Sequence, residues 1–142
     1  MKKNIDEKMI YITEYDMTRL EEVLAIAAMN AKRDFKHLEG LTKELMKAEI
    51  VDSTEIPSNV ITMNSKVLLD DLENNQRKEY ILVFPKEADI EQNKVSVLSP
   101  LGTAMIGCRV GHILRVKTPT GERRMKVQKI LYQPEKAGDY HL

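Results

Sequence analysis

The spacing of apolar residues changes once along this chain, and that change constrains the fold more than any other feature. Before residue 51 the apolar residues recur every three or four positions, which is the spacing of an amphipathic helix. After residue 57 they alternate with polar residues, as in half-buried strands. The sequence therefore predicts an α+β fold, with an N-terminal helical segment at residues 1–52 and a sheet domain at residues 53–142.

Two amphipathic stretches make up the helical segment. The first covers residues 17–28, with Thr13 or Asp16 as the helix N-cap, and the second, residues 38–48, has the spacing of a short coiled-coil seam. We expect two helices packed as an antiparallel hairpin, because one exposed continuous helix leaves both apolar stripes without a partner. Apart from Gly40, no strong helix breaker lies nearby, so a single bent helix is the alternative.

The C-terminal segment has the pattern of several strands joined by turns. Residues 73–76 (ENNQ) and 118–122 (TPTGE) have the composition of tight turns. An earlier apolar run, residues 9–12 (MIYI), fits either an edge strand or a hydrophobic strap. We expect strands at residues 60–63, 66–72, 77–84, 94–98, 111–117 and 123–132. Such a set predicts an antiparallel sheet that curls around a single short helix.

The predicted short helix lies in the turn-rich residues 98–107. The side chain of Ser99 can cap it, Pro100 suits its first position because proline needs no hydrogen-bond partner there, and Gly107 can end it. Its apolar residues fall at helical spacing, so one side can pack on the sheet while Pro100 stays at the surface. Those apolar residues are Leu101, Ala104 and Met105.

Composition excludes several functional classes. The chain has 22 basic and 22 acidic side chains, so it lacks the overall positive charge that holds nucleic acid, and any such contact must be local. We expect that contact only within a larger complex. It has no apolar run long enough to span a membrane and no apolar signal core. Its single cysteine, Cys108, cannot form an internal disulfide, which favours a reducing cytoplasm.

No residue constellation in the sequence indicates catalysis or cofactor binding. The three histidines lie in unrelated segments, and no cysteine pair accompanies them, so no metal site is predicted. There is no glycine-rich phosphate loop, and Ser99 has no base beside it. We therefore predict a protein that is not an enzyme and has no cofactor. The oligomeric state stays open, with a monomer favoured over an oligomer.

Several short motifs resemble the C-terminal domain of the bacterial Gre transcript-cleavage factors. They are residues 60–67 (VITMNSKV), 94–100 (KVSVLSP), 104–107 (AMIG) and 109–111 (RVG). The closing residues 132–140 (YQPEKAGDY) are similar to the Rnk branch of that family. The resemblance implies an FKBP-like sheet domain. It also implies that Ser99, Pro100 and Leu101 contact bacterial RNA polymerase near the mouth of its secondary channel.

The same resemblance draws attention to the tip of the helical arm. In the Gre family this tip carries acidic residues that hold a metal ion in the polymerase active centre and promote hydrolysis of backtracked RNA. Here Asp34 is the only acid, surrounded by the possible contact residues Lys32, Arg33 and Lys36. One carboxylate among cations holds Mg²⁺ poorly. We therefore expect a regulator of elongation that binds polymerase and does not stimulate cleavage.

Two other functions are alternatives. The name of the Rnk branch implies direct regulation of nucleoside diphosphate kinase. An FKBP-like fold also allows peptidyl-prolyl isomerase activity, but that activity needs a pocket rich in aromatic side chains. The chain has no tryptophan and only two phenylalanines, so its composition disfavours the isomerase.

Overall fold

A computed structural model describes residues 9–30 and 36–142, in which helices pack against a five-stranded mixed sheet. The helices are α1 (Glu14–Asn30), α2 (Lys36–Lys47), α3 (Pro100–Met105) and α4 (Pro134–Ala137). The strands are β1 (Tyr11–Thr13), β2 (Glu49–Val51), β3 (Lys66–Asp71), β4 (Gln76–Val83), β5 (Lys94–Ser96), β6 (Ile113–Thr118) and β7 (Gly121–Tyr132). The predicted α+β class is confirmed.

The main sheet has the strand order β5-β4-β3-β7-β6, and its strands run antiparallel with one exception. The exception is β5, which lies parallel to β4 rather than antiparallel as predicted. Residues 84–93 explain this, because their two short 3-10 turns return the chain to the level of Ile81, opposite which β5 begins. Both predicted tight turns are present, and each places a suitable residue, Asn75 or Gly121, at positive φ.

A second, two-stranded sheet ties the helical segment to the end of α3. The apolar run at residues 9–12 leads into β1, which pairs in parallel with β2. The main-chain N–H of Tyr11 donates to the carbonyl of Gly107 at 3.2 Å, and that of Glu49 donates to the carbonyl of Ile10 at 2.9 Å. The run is therefore a strand in its own small sheet, and its partner β2 was not predicted.

Both predicted helices of the N-terminal segment are present. Thr13 is the cap of α1, because its Oγ1 accepts a hydrogen bond from the main-chain N–H of Asp16 at 3.0 Å. Gly40 lies inside α2 and does not break it. The two helices contact each other and line a common groove, an arrangement that a single continuous helix does not allow.

One apolar cluster connects the helices and the sheet. Leu20 of α1 and Leu41 of α2 are fully buried in it. They share it with apolar residues of the sheet and of α3, among them Val67, Leu69, Leu82, Met105, Leu114 and Val127. The segments on both sides of residue 52 thus pack into a common apolar cluster.

Two parts of the C-terminal segment differ from the prediction. Residues 60–63 do not form a strand, because only Val60 makes a β-bridge and the Ser65 hydroxyl accepts the N–H of Thr62 at 2.9 Å, turning the chain. The segment also contains a second short helix, α4, which begins with Pro134 and ends before Gly138 at φ 85°. No helix among the described residues is long and apolar enough to cross a membrane.

Candidate functional site

Ser99 organises the start of α3 through several hydrogen bonds. Its Oγ accepts the main-chain N–H of Gly102 at 3.1 Å, as predicted for an N-cap. The same hydroxyl donates to the carbonyl of Ser96 at the end of β5, at 2.7 Å. Its carbonyl accepts the N–H of Thr103 at 2.9 Å. The polar groups of Ser99 are therefore used in fixing the turn, and the residue itself is only half-buried.

Pro100 and Leu101 form the outer surface of this turn. Pro100 is exposed at the first helical position, and Leu101 is half-buried against the apolar cluster. The next residue, Gly102, is buried so closely on β5 that a Cβ atom there would lie 1.9 Å from the carbonyl oxygen of Ser96. The close approach holds Pro100 in a fixed position, so the turn presents a preformed, mainly apolar contact surface.

Helix α2 supports α3 from the other side. An added Cβ at Gly40 of α2 would lie 3.3 Å from Cγ2 of Thr103, so the two helices approach closely at these residues. Thr103 is fixed in turn, because its hydroxyl donates to the carbonyl of Val97 at 2.8 Å. Gly107, at φ 79°, ends the α3 region as predicted and packs against Ile10. The short helix is thus held by the sheet, by α2 and by the β1 segment.

A buried polar joint connects α1 to the C-terminal segment. Asp16 is 1% exposed, and its carboxylate accepts hydrogen bonds from the main-chain N–H of Met63 at 3.1 Å and from Arg19 at 2.7 Å. Burial raises the pKa of Asp16, while both hydrogen bonds oppose that rise. The Arg19 guanidinium lies over the rings of Tyr15, at 4.0 Å, and Phe84, at 4.7 Å. The joint fixes the orientation of the helical arm.

Two comparisons with known families cover most of the chain. Residues 56–132 match the family described as "Transcription elongation factor, GreA/GreB, C-term", and residues 8–51 match "Rnk N-terminus". The "Regulator of nucleoside diphosphate kinase" of Escherichia coli (strain K12) is 32% identical over 94% of this chain and 96% of that protein. The chain belongs to the Gre family, in its Rnk branch.

Other members of the Gre family show the same relationship. GreA of Orientia tsutsugamushi is 37% identical over 68% of this chain and 61% of its own length. A solved structure, the transcription elongation factor GreA/GreB from Nitrosomonas europaea, is 35% identical, with a TM-score of 0.72 over 87% of this chain and 99% of that one. These relatives are named as regulators or elongation factors rather than as enzymes.

The predicted contact residues of this Rnk-branch protein lie in two places. The structure brings Ser99, Pro100 and Leu101 together on the α3 surface. Lys32 and Arg33 lie outside the described residues, and Lys36 is the first residue of α2. Ser99, Pro100 and Leu101 thus share one short helix, and both sets of polymerase contacts stay predictions from the sequence.

A shallow cleft of about 280 Å³ lies on the main sheet. Polar side chains line most of it, including Lys78 and the ion pair between Arg123 and Asp71, and Tyr80 is its aromatic member. Such a lining does not suit an apolar X-Pro substrate. In residues 9–30 and 36–142, no three His, Cys, Asp or Glu side chains lie close enough together to hold a metal ion.

Cys108 is a half-buried structural residue that follows α3. Its Sγ lies 3.2 Å from the carbonyl oxygen of Ala104, to which the thiol donates. Burial raises the pKa of Cys108 to about 12, so the reactive thiolate is scarce at neutral pH.

Sequence reasoning missed the joint because its members are far apart in the chain. Asp16 was considered only as a helix cap, and nothing marked Arg19 as its partner. The neighbouring Glu135 of α4 is also buried, and it accepts the hydroxyl of Thr62 at 2.8 Å. Burial raises the pKa of Glu135, although the hydrogen bond from Thr62 opposes this. The local signal for such a site is an acid between two largely apolar residues, as Asp16 lies between Tyr15 and Met17.

Proposed function

We propose that this protein binds bacterial RNA polymerase through the α3 surface, near the mouth of the secondary channel, and regulates elongation without stimulating transcript cleavage. The observation that carries the proposal is the preformed turn, in which exposed Pro100 and half-buried Leu101 stand on a helix held from three sides. A rigid apolar contact of this kind binds without a large ordering cost. Membership of the Gre family supports polymerase as its partner.

The non-catalytic part of the proposal depends on the composition of the arm. Mg²⁺ held for hydrolysis needs several oxygen ligands to offset its dehydration. Residues 31–37 contain one acid, Asp34, among three cations, and this set suits an acidic wall or an RNA phosphate better than a metal ion. Lys32, Arg33 and Lys36 are therefore proposed as secondary electrostatic contacts.

Co-sedimentation with core polymerase tests the proposal. Pro100→Ser removes the exposed ring and retains a residue that is tolerated near a helix start, so we expect at least about tenfold weaker binding without unfolding. Pro85→Ser is a matched control, because Pro85 also begins a short exposed helical turn. Binding by Pro100→Ser equal to that of the wild type would place the contact elsewhere.

Two further measurements use the same components. Replacement of Lys32, Arg33 and Lys36 by alanine is expected to weaken binding at low salt only, since exposed charges are screened. Unchanged affinity at low salt would remove the arm-tip contact. The transcripts in stalled elongation complexes are expected to remain uncleaved after the protein is added. RNA hydrolysis stimulated by the purified protein would contradict the non-catalytic part of the proposal.

Direct regulation of nucleoside diphosphate kinase is the second candidate. Its support is the 32% identity, over nearly the whole chain, to a protein named for that activity. A pull-down with purified kinase and, separately, purified polymerase discriminates the two functions. Retention of the kinase alone would favour the second candidate over the first.

A further inference from the structure

The hairpin formed by β6 and β7 is an edge ribbon with a strongly uneven charge. β6 is the last strand of the main sheet and pairs only with β7 within it, and β7 pairs with β3 only from Met125 onwards. The outer half of the hairpin, which turns at residues 119–120, is thus a two-stranded ribbon. Residues 113–126 contain one acid, Glu122, and five basic residues: Arg115, Lys117, Arg123, Arg124 and Lys126.

Four of these cations lie on the open face of the β6–β7 hairpin. Leu114 and Val116 are buried, so the alternate residues Arg115 and Lys117 point away from the apolar cluster. In the register of the hairpin, Arg115 lies directly opposite Arg124. Like charges in such a cross-strand pair destabilise a sheet. The fold itself therefore gains nothing from this arginine pair, whereas an anion placed over it would be stabilised by both.

The acidic side chains near this face pair only weakly with its cations, so the cations can still bind another anion. Arg115 lies 3.7 Å from Glu122, and Arg124 lies 3.3 Å from Glu73 of the β3–β4 turn. The arginine side chains of these pairs are 70% and 51% exposed, so the pairs are weak and a phosphate can replace the carboxylates. Asp70 of β3 lies opposite Lys126 in the register, and its carboxylate also accepts a hydrogen bond from Gln128 at 3.0 Å.

We propose that the open face of the β6–β7 hairpin binds the phosphates of duplex nucleic acid. A two-stranded ribbon has the width that the major groove of a duplex admits. Cations two residues apart on one strand are separated by about 7 Å, which is also the rise of about two phosphates along one nucleic-acid strand. Residues 113–126 contain no aromatic side chain for base stacking, which favours a duplex over a single strand.

This site goes beyond polymerase binding and does not depend on it. The neutral net charge of the chain predicted that any nucleic-acid contact would be local, because a whole-molecule field is absent. The structure gathers cations on one hairpin, so such a local contact is available to the free protein and does not require the larger complex that was expected. The interaction carries no base readout and is expected to be independent of sequence.

Fluorescence anisotropy with a labelled duplex of about 20 base pairs tests the site on the full chain. We expect a Kd of roughly 10⁻⁶–10⁻⁴ M at low salt, and a plot of log K against log salt with a slope of about −3, as for three or four neutralised phosphates. The variant Arg115→Gln, Lys117→Gln, Arg124→Gln, Lys126→Gln is expected to lose at least about tenfold in affinity and most of the salt slope.

The control variant removes the same charge from other exposed positions: Lys43→Gln, Lys47→Gln, Lys86→Gln, Lys136→Gln. It is expected to bind the duplex as the wild type does, and thermal melting of both variants verifies their folding. Equal weakening by the two variants, or no binding by the wild type at low salt, would overturn the proposal. Displacement of the duplex by polyglutamate at equal charge concentration would also overturn it, in favour of an acidic protein partner.

Discussion

The close packing of Gly102 on β5 predicts a specific and unequal pair of effects. Gly102 and Gly40 both lie within helices, and neither has the positive φ that only glycine adopts easily. Replacing either by alanine should therefore stabilise its helix by about 0.5–1 kcal/mol, since glycine pays the larger entropic cost. The surroundings of the added Cβ atom decide whether that gain survives.

At Gly102 the stabilisation expected from alanine is lost. The added Cβ would lie 1.9 Å from the carbonyl oxygen of Ser96 and within 3 Å of two more backbone atoms, so α3 has to move outward by about 1 Å. Overpacking of this kind costs about 3 kcal/mol at the upper end of its usual range. The net loss for Gly102→Ala is then about 2 kcal/mol, or about 7 °C in Tm for a chain of this size.

At Gly40 the added atom meets only the end of the Thr103 side chain at 3.3 Å, which can adjust. Gly40→Ala is thus expected to be neutral or slightly stabilising. Thermal and urea unfolding of the two variants, followed by circular dichroism, measure both effects. Because the movement of α3 also displaces Pro100, Gly102→Ala should weaken polymerase binding in the folded protein. A Gly102→Ala protein as stable as the wild type would refute the close-packed geometry of this turn.

Two further predictions concern buried ionisable groups. Burial raises the pKa of Glu135 in the folded protein above its ordinary value of 4.5. As the pH rises, the Glu135 carboxyl therefore ionises first in the unfolded chain, and the free energy of unfolding falls until the carboxyl also ionises in the folded protein. Between pH 4 and pH 7 the Tm of Glu135→Gln should therefore fall by less than the Tm of the wild type. An equal fall would contradict the effect of burial on the Glu135 carboxyl. Burial raises the pKa of Cys108 to about 12, so only about 10⁻⁴ of the thiol is ionised at pH 8. Alkylation of Cys108 by iodoacetamide should therefore be about a thousandfold slower in the folded protein than in denaturant.

The joint at Asp16 and Arg19 connects stability to the proposed function. A partner that contacts both the α3 surface and the arm tip needs the two at a fixed spacing. The hydrogen bond from the Met63 N–H to Asp16, and the stacking of Arg19 on Phe84, hold α1 against the sheet segment. Removing one member leaves a buried charge or a buried N–H without its partner, which is more costly than losing an exposed ion pair.

The local chemistry of the sequence determined the elements that depend on neighbouring residues. The Ser99 cap, the Pro100 start and the Gly107 end of α3 were predictable, because each follows from hydrogen bonds or backbone angles within a few residues. The two tight turns and the two arm helices were predictable for the same reason. Two of the motifs that carry the family resemblance, residues 94–100 and 104–107, lie in the α3 region.

Only the tertiary structure decided how these elements meet. The parallel placement of β5 and the pairing of β1 with β2 depend on which segments come together in the folded chain. So do the joint at Asp16 and the arginine pair on the β6–β7 hairpin. The turn at residues 60–63, by contrast, is made by a local hydrogen bond from Thr62 to Ser65. Periodicity reports which side of a segment is buried, but it carries no information on which segment covers it. Register and long-range contacts are set by the packing of the whole chain.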